Sequence, residues 1–545
     1  MQGMMQDRPL EIGSLMRRAQ RMFARKTVVT GTVGGETSAT WGEVVARAWR
    51  LSAALDLLGV PPGARVASFA WNTQRHLELY LGVPAGGRVL HTVNHRLFAD
   101  DVAHILDDAG DDVVFVDRSL LPAVWELVAA AASVRHVVVM DDGAACPVPD
   151  DPRVLDYEEL LGRVAADHEP PPSPVVAEDD AAGLCYTSGT TGRPKGVLYS
   201  HRSVVLHTLT LLGADALAIS ERDTVMPIVP MFHVNAWGLP YAALASGASL
   251  VLPGPAMAPE ALADRLERHR VTFTAGVPAI WRGLVPLLAS HDLSALRTVV
   301  SGGSALPDSL SRAWEAQVGI PITGSWGMTE CSPLVAAGRV VSDLDGLAGD
   351  ERRALVGLPG PTVPLVEVRV VDDAGRPVAH DGVASGELQV AGPTIAAGYF
   401  GAEAGAAAFT ADGWLRTGDV AAIDAHGYLR IVDRTKDMIK SGGEWISSVA
   451  LENALMDHPL VQEAAVVGVE DERWGERPCA YVVPLPGSEI DETGLRRHLA
   501  GRLASWWVPD RFVVLDAIPK TSTGKAAKNV LRSRARAEAD PGAPL

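Results

Sequence analysis

Apolar residues along this chain fall into two alternating patterns. Short unbroken runs, RVASFAW at 65–71, DVVFVD at 112–117 and HVVVMD at 136–141, read as buried strands. Between the first two lies FADDVAHILDDAG at 98–110. There Val102, Ile105 and Leu106 share one helical face, and Gly110 supplies a stop. Alternation of strand, helix and strand predicts parallel α/β layers. Two later runs, VTFTAGV at 271–277 and LRTVVSGG at 296–303, repeat the strand pattern, and the second ends on Gly302 and Gly303. From 366 to 390 the pattern shortens to strands with tight turns, which predicts a small β-rich unit.

A polar, glycine-containing segment follows, DRTKDMIKSGGEWIS at 433–447. After it, SSVALENALMDHP at 447–459 reads as a capped helix stopped by Pro459. Strands at 464–469 and 480–484, a helix after Asp491 and a strand near Phe512 complete a unit of about 100 residues, a size suited to a separate small domain. HEPPPSPVVAEDDAA at 168–182 reads as a connector, and ARAEADPGAPL at the end as a frayed tail.

Composition narrows the classes. Hydrophobic residues make up 47% of 545 residues, so the chain is globular. A formal charge of −18 argues against nonspecific nucleic-acid binding. The N-terminal MQGMMQDRPLEIGSLMRR lacks a signal peptide's apolar core, which leads us to expect a cytoplasmic enzyme. The longest stretch free of charge and histidine, 234–259, carries four prolines and three glycines, so no membrane span is expected. Four scattered cysteines in no CxxC spacing predict neither zinc nor a disulfide framework.

Lysine usage changes the picture most. Only seven of the 48 basic residues are lysine, and six of those seven fall in three short Gly- or Ser/Thr-containing motifs. An ammonium is compact and mobile where a guanidinium is a wide fork. Such lysines mark places where arginine will not serve. The first motif is YTSGTTGRPKGV at 186–197. Its Thr187, Ser188, Gly189, Thr190 and Thr191 can wrap N–H and O–H donors around phosphate oxygens, and Lys195 adds a cation. Proline before that lysine argues against a Walker loop running into a helix.

YTSGTTGRPKGV closely resembles the phosphate-loop signature of the adenylate-forming superfamily, which includes acyl-CoA synthetases, luciferases and adenylation domains. GSWGMTE at 324–330, RTGD at 416–419, DRTKDMIKSGGEWIS and PKTSTGK at 519–525 continue the resemblance in order. VPMFHVNAWGLPY at 229–241 looks most like bacterial long-chain fatty acyl-CoA synthetases. The resemblance implies an α/β fold: a large N-terminal domain of layered sheets (1–432), a hinge (433–438), a small mobile α+β C-terminal domain (439–535) and a tail (536–545). It also implies ATP, Mg²⁺ and coenzyme A as partners of a carboxylic acid, two half-reactions through acyl-AMP, and a homodimer.

By the same resemblance, Thr329 touches the α-phosphate and Glu330 binds Mg²⁺, for which a carboxylate is a suitable hard ligand. Trp326 stacks on adenine, with Gly302 and Gly303 allowing close backbone approach. Asp419 accepts the ribose hydroxyls, and Arg434 joins the nucleotide site. Lys525 bridges carboxylate and phosphate during adenylation, while Lys440 serves thioester formation after rotation. His233 lines the acyl site and Trp237 gates it.

Gly238, being small, would leave room for a bulky acid. No cation is seen in the uncharged stretch to pair with a second acidic group on the substrate. Gly324 and Ser325 replace the Gln-Gly or Gln-Ala of many relatives; glycine would loosen the loop, so if either half-reaction is weak, adenylation is the one expected to be. Three other readings stay open: loading of a carrier protein, luciferase-like oxygenation, and a non-catalytic acyl- or nucleotide-binding protein.

Overall fold

In the computed structural model, residues 1, 3–171, 175–187, 193–401, 407–521 and 525–539 are described. The predicted buried runs are strands of a seven-stranded sheet, ordered Val154–Asp156, His136–Met140, Val113–Asp117, Arg65–Phe69, Val89–Thr92, Ala181–Tyr186 and Gly196–Ser200. All its neighbours run parallel except the last pair, in which Tyr186 faces Gly196 across the ladder. The helix Ala99–Ala109 crosses between two of these strands as expected. Val102, Ile105, Leu106 and Ala109 are buried, and Gly110 ends it at φ 59°. That left-handed cap suits glycine.

An eight-stranded sheet carries the second half of the large unit. Its parallel centre is Ile322–Gly327, Thr298–Ser301, Phe273–Gly276, Thr224–Pro227, Ser249–Leu252 and Thr27–Thr32. The outermost strands, Leu334–Ala337 and Gly35–Thr40, pair antiparallel. One apolar core runs between the two large sheets, from Ile12 and Trp41 through Phe115 and Leu250 to Leu429. Fully burying each Val, Leu, Ile or Phe side chain contributes about 1.5–3 kcal/mol.

The β-rich unit is a four-stranded antiparallel sheet, Glu367–Val371, Ser385–Ala391, Leu415–Ile423 and Leu429–Arg434. Residues 435–438 then lead into a separate five-stranded sheet that begins at Ile439–Ser441. The helix Ser448–Met456 sits on that sheet, capped by Ser447 as its sequence suggests. No helix among the described residues is long and apolar enough to cross a membrane.

Candidate active site

Parallel strands leave a crevice at their carboxyl ends, where loops diverge. Here Thr187, the 228–233 segment, Val277, Gly302–Gly303 and Met328–Glu330 all follow such ends and line one cavity of about 760 Å³. Part of its lining is apolar, with Leu211, Leu217, Ile228, Leu239, Met257 and Val300. Another part is polar and strongly cationic, with Lys195, Arg193, Arg434, Lys436 and Lys525.

Thr187 and Lys195 close the neck of the glycine-rich loop. The Thr187 N–H donates to the Lys195 carbonyl at 2.9 Å, and the Lys195 N–H donates to Thr187 Oγ1 at 3.2 Å. Ser188, Gly189, Thr190 and Thr191 lie outside the described residues. The loop bearing Thr329 and Glu330 is buried and stitched from several sides. Tyr199 donates its hydroxyl to the Thr329 carbonyl at 2.7 Å, Ala396 N–H donates to the Glu330 carbonyl at 2.7 Å, and Tyr399 donates its hydroxyl to Glu330 Oε1 at 2.6 Å.

Trp326 and Asp419 meet directly. The indole Nε1–H donates to Asp419 Oδ2 at 2.9 Å, while Arg434 Nε pairs with Oδ1 at 2.8 Å. Asp419 is 3% exposed, and burial raises its pKa against the opposing pull of Arg434. Lys525 reaches the same place from the C-terminal unit. A Cβ built on Gly303 (φ 81°) would stand 3.8 Å from Lys525 Cε. Burial, reinforced by the Arg434 charge, lowers the Lys525 pKa to about 8. His233 is held neutral, its pKa lowered to about 4 by burial and then by the Lys525 charge.

The turn at 234–238 is unusual. Val234, Asn235, Ala236, Trp237 and Gly238 all have left-handed backbones, with φ between 46° and 76°. Trp237 lines the cavity, and its Cη2 would lie 3.0 Å from a Cβ on Gly302. Gly302 therefore makes room for an indole edge, beside the Ser325 hydroxyl at 2.7 Å.

Several expectations need correction. Gly238 opens no space for substrate: a Cβ there would strike His207 Nδ1 at 2.7 Å, so its missing side chain accommodates a buried imidazole. Gly324 does not loosen its loop. It lies in the strand Ile322–Gly327, and a Cβ would meet the carbonyls of Gly357 and Leu358 at 2.2 and 2.6 Å. Glycine is needed there for close packing, so the physical reason for weak adenylation falls away. The uncharged stretch itself carries no cation, but one from elsewhere joins the cavity lining: Arg96, from the loop after the strand Val89–Thr92, lies over the Phe232 ring at 5.5 Å.

Lys440 stands apart from the cavity. It is exposed, with its ammonium 5.3 Å from the Trp445 ring centre. Sequence reasoning missed Tyr399 and Arg96. Each is a single residue in an unpatterned loop, and no spacing marked either one.

The site fits a magnesium ion brought by ATP. Among the described residues no three His, Cys, Asp or Glu side chains stand together to hold a metal. One buried carboxylate, Glu330, joins the lining of the same cavity as these cations. Magnesium is commonly held by one or two carboxylates together with substrate phosphates.

Comparison with known proteins agrees with this geometry. The family described as AMP-binding enzyme matches residues 16–400, and its C-terminal domain family matches 450–525. The chain belongs to the AMP-binding enzyme family. This AMP-binding enzyme is 48% identical over 537 residues to the long-chain-fatty-acid–CoA ligase of Thermus thermophilus, covering 97% of this chain and 96% of that protein. It is 42% identical over 535 residues to a 3-methylmercaptopropionyl-CoA ligase of Ruegeria lacuscaerulensis, with 98% of each chain covered. The solved structure of the anthranilate CoA ligase AuaEII with anthranoyl-AMP matches at a TM-score of 0.86 and 28% identity, over 98% of this chain and 99% of that one. As a member of this family, the AMP-binding enzyme is an ATP-dependent, AMP-forming ligase.

Proposed function

We propose that this chain joins an apolar carboxylic acid, of medium or long chain, to coenzyme A through an acyl-AMP intermediate. One observation carries the reading. Lys525 stands in the cavity beside Asp419, Glu330 and His233, while Lys440 faces solvent. This is the arrangement that the first half-reaction requires. The apolar part of the lining supports an apolar acid.

In the first step the carboxylate oxygen attacks the α-phosphorus of ATP and pyrophosphate leaves. Anions must be gathered, so preorganised positive charge lowers the barrier. Lys525 bridges the carboxylate and the α-phosphate. Lys195 and the loop at 187–191 hold the outer phosphates. Thr329 orients the α-phosphate and Glu330 holds Mg²⁺, which supplies charge neutralisation when bound. Trp326 packs on the adenine and Asp419 takes the ribose hydroxyls. His233, kept neutral, lines the acyl carboxylate without trapping it as an ion pair. Trp237 gates the apolar end.

The second step needs a different C-terminal unit position. We assign 1–432 as the fixed domain, 433–438 as the pivot and 439–535 as the turning domain, with a tail at 536–545. Rotation withdraws Lys525 and brings Lys440 to the cavity. The thiol of coenzyme A then attacks the acyl carbon and AMP leaves. Expected readouts are AMP and acyl-CoA from a panel of acids, scored by mass spectrometry. Equal rates across short, long and aromatic acids would overturn the apolar-chain assignment. AMP release without acyl-CoA would overturn coenzyme A as acceptor.

A further inference from the structure

We infer that Tyr399 is a positioning residue for adenylation: it holds Lys195 and Glu330 apart and orients the Glu330 carboxylate toward the metal of ATP. The inference rests on the assignment of Glu330 as the magnesium ligand.

Tyr399 touches both charged groups. Its hydroxyl donates to Glu330 Oε1 at 2.6 Å, and its ring face lies 5.0 Å from Lys195 Nζ. Lys195 and Glu330 line the same cavity. A flexible ammonium and a buried carboxylate lining one cavity are drawn toward a direct ion pair, which would occupy both groups that Mg·ATP needs. No such pair forms among the described residues. A ring face attracts an ammonium less strongly than a carboxylate does. Lys195 is therefore parked where incoming phosphate can draw it off. The hydroxyl leaves Glu330 Oε2 for a metal and fixes the plane of the carboxylate.

The segment carrying Tyr399 is anchored on both sides of the pair it separates. Ala396 N–H donates to the Glu330 carbonyl at 2.7 Å, and Ser332 Oγ donates to the Thr394 carbonyl at 2.8 Å. On the other side, Phe400 N–H donates to the Gly196 carbonyl at 2.8 Å, next to Lys195. The Phe409 ring stands 6.2 Å from the tyrosine ring.

The test is the affinity of α,β-methylene-ATP, measured by calorimetry with and without Mg²⁺. The ratio of the two affinities reports the metal alone. Residues that orient a metal ligand typically contribute about 10- to 100-fold to metal affinity. Tyr399→Phe should lower the ratio about tenfold or more and leave the metal-free affinity within twofold. Tyr399→Leu should lower the metal-free affinity as well, because Lys195 loses its ring. Thioester formation from supplied acyl-AMP should be unchanged in Tyr399→Phe, which a general folding defect would not permit. An unchanged ratio in Tyr399→Phe, with the ratio lowered in Glu330→Gln, overturns the inference alone. An unchanged ratio in Glu330→Gln overturns the assignment of Glu330 and the inference with it.

Discussion

Two lysine-bearing loops of the C-terminal unit look alike in sequence, and the structure places them oppositely. Lys525 reaches into the cavity, where burial and the Arg434 charge bring its pKa to about 8. Lys440 lies exposed against Trp445, and its backbone N–H donates to Glu476 Oε2 at 2.9 Å. The contrast is the one expected if, as proposed, the two half-reactions use the two loops in turn. The segment at 433–438, which joins both loops to the large unit, is held rather than slack. Thr435 N–H donates to the Gly418 carbonyl at 2.9 Å. Asp433 Oδ2 accepts from Ser448 N–H and Oγ–H, both at 2.6 Å, and Arg532 on the last helix pairs with Asp437.

The comparison breaks most sharply on the lysines themselves. Lys525→Ala should cut pyrophosphate exchange on the order of 10²-fold or more, as expected for a lost preorganised charge. Acyl-CoA formation from supplied acyl-AMP should survive. Lys440→Ala should show the reverse, and equal loss of both steps in either variant would mean that the loops do not alternate.

Next in size is Asp433. Its buried carboxylate caps the helix Ser448–Met456 beside Lys528, whose ammonium donates to Ser448 Oγ at 2.7 Å. Removing one partner of a buried charged network typically costs about 3–5 kcal/mol. Asp433→Ala should lower the melting temperature and slow exchange more than thioester formation. Asp433→Pro would also remove a strand N–H, so it is a blunter probe of the pivot. A variant with both steps slowed equally would place the pivot elsewhere.

A pH profile sharpens the same contrast. If the Lys525 ammonium is the working form, kcat/KM for ATP falls as pH rises through about 8, because the proton is lost there. Thioester formation from acyl-AMP should lack that limb, and Lys525→Arg should remove it from exchange. A limb of equal position in both steps would assign it to another group.

The smallest effect concerns the acyl end, away from both loops. Trp237→Ala should change the ratio of kcat/KM values across a chain-length series by about 10-fold, since pocket changes of a few methylenes shift specificity by such factors. Gly238→Ala should lower stability without that shift, because its Cβ would strike His207. A ratio within about twofold in Trp237→Ala would make Trp237 a core residue.

Much of this was legible in sequence, and for reasons that can be stated. Buried parallel strands such as His136–Met140 betray themselves as unbroken apolar runs. Val102, Ile105 and Leu106 fixed a helix face because spacing and burial coincide. Site residues that occur in ordered polar motifs, including Trp326, Asp419, Arg434 and Lys525, converge on the cavity or its rim. Glycines were misread where their neighbours are distant in sequence. Gly324 packs against Gly357 and Leu358, and Gly238 against His207, contacts that no local pattern announces. Tyr399 and Arg96 were passed over for the same reason: each acts through partners from other elements.

The left-handed turn at 234–238 has a consequence for engineering. Each non-glycine residue held in that conformation costs roughly 1–2 kcal/mol, and four such residues stand in a row, Val234 to Trp237. The total is of the same order as the net stability of a typical domain, about 5–15 kcal/mol. Selection for heat tolerance alone would find easy gains here, through asparagine or glycine at Val234 or Ala236. Relaxing the turn would also release the indole that it aims at Gly302. If Trp237 gates the acid as proposed, thermostability and acid discrimination are traded against each other at this five-residue stretch, and a library screened only for melting temperature should drift toward catalysts that accept more acids.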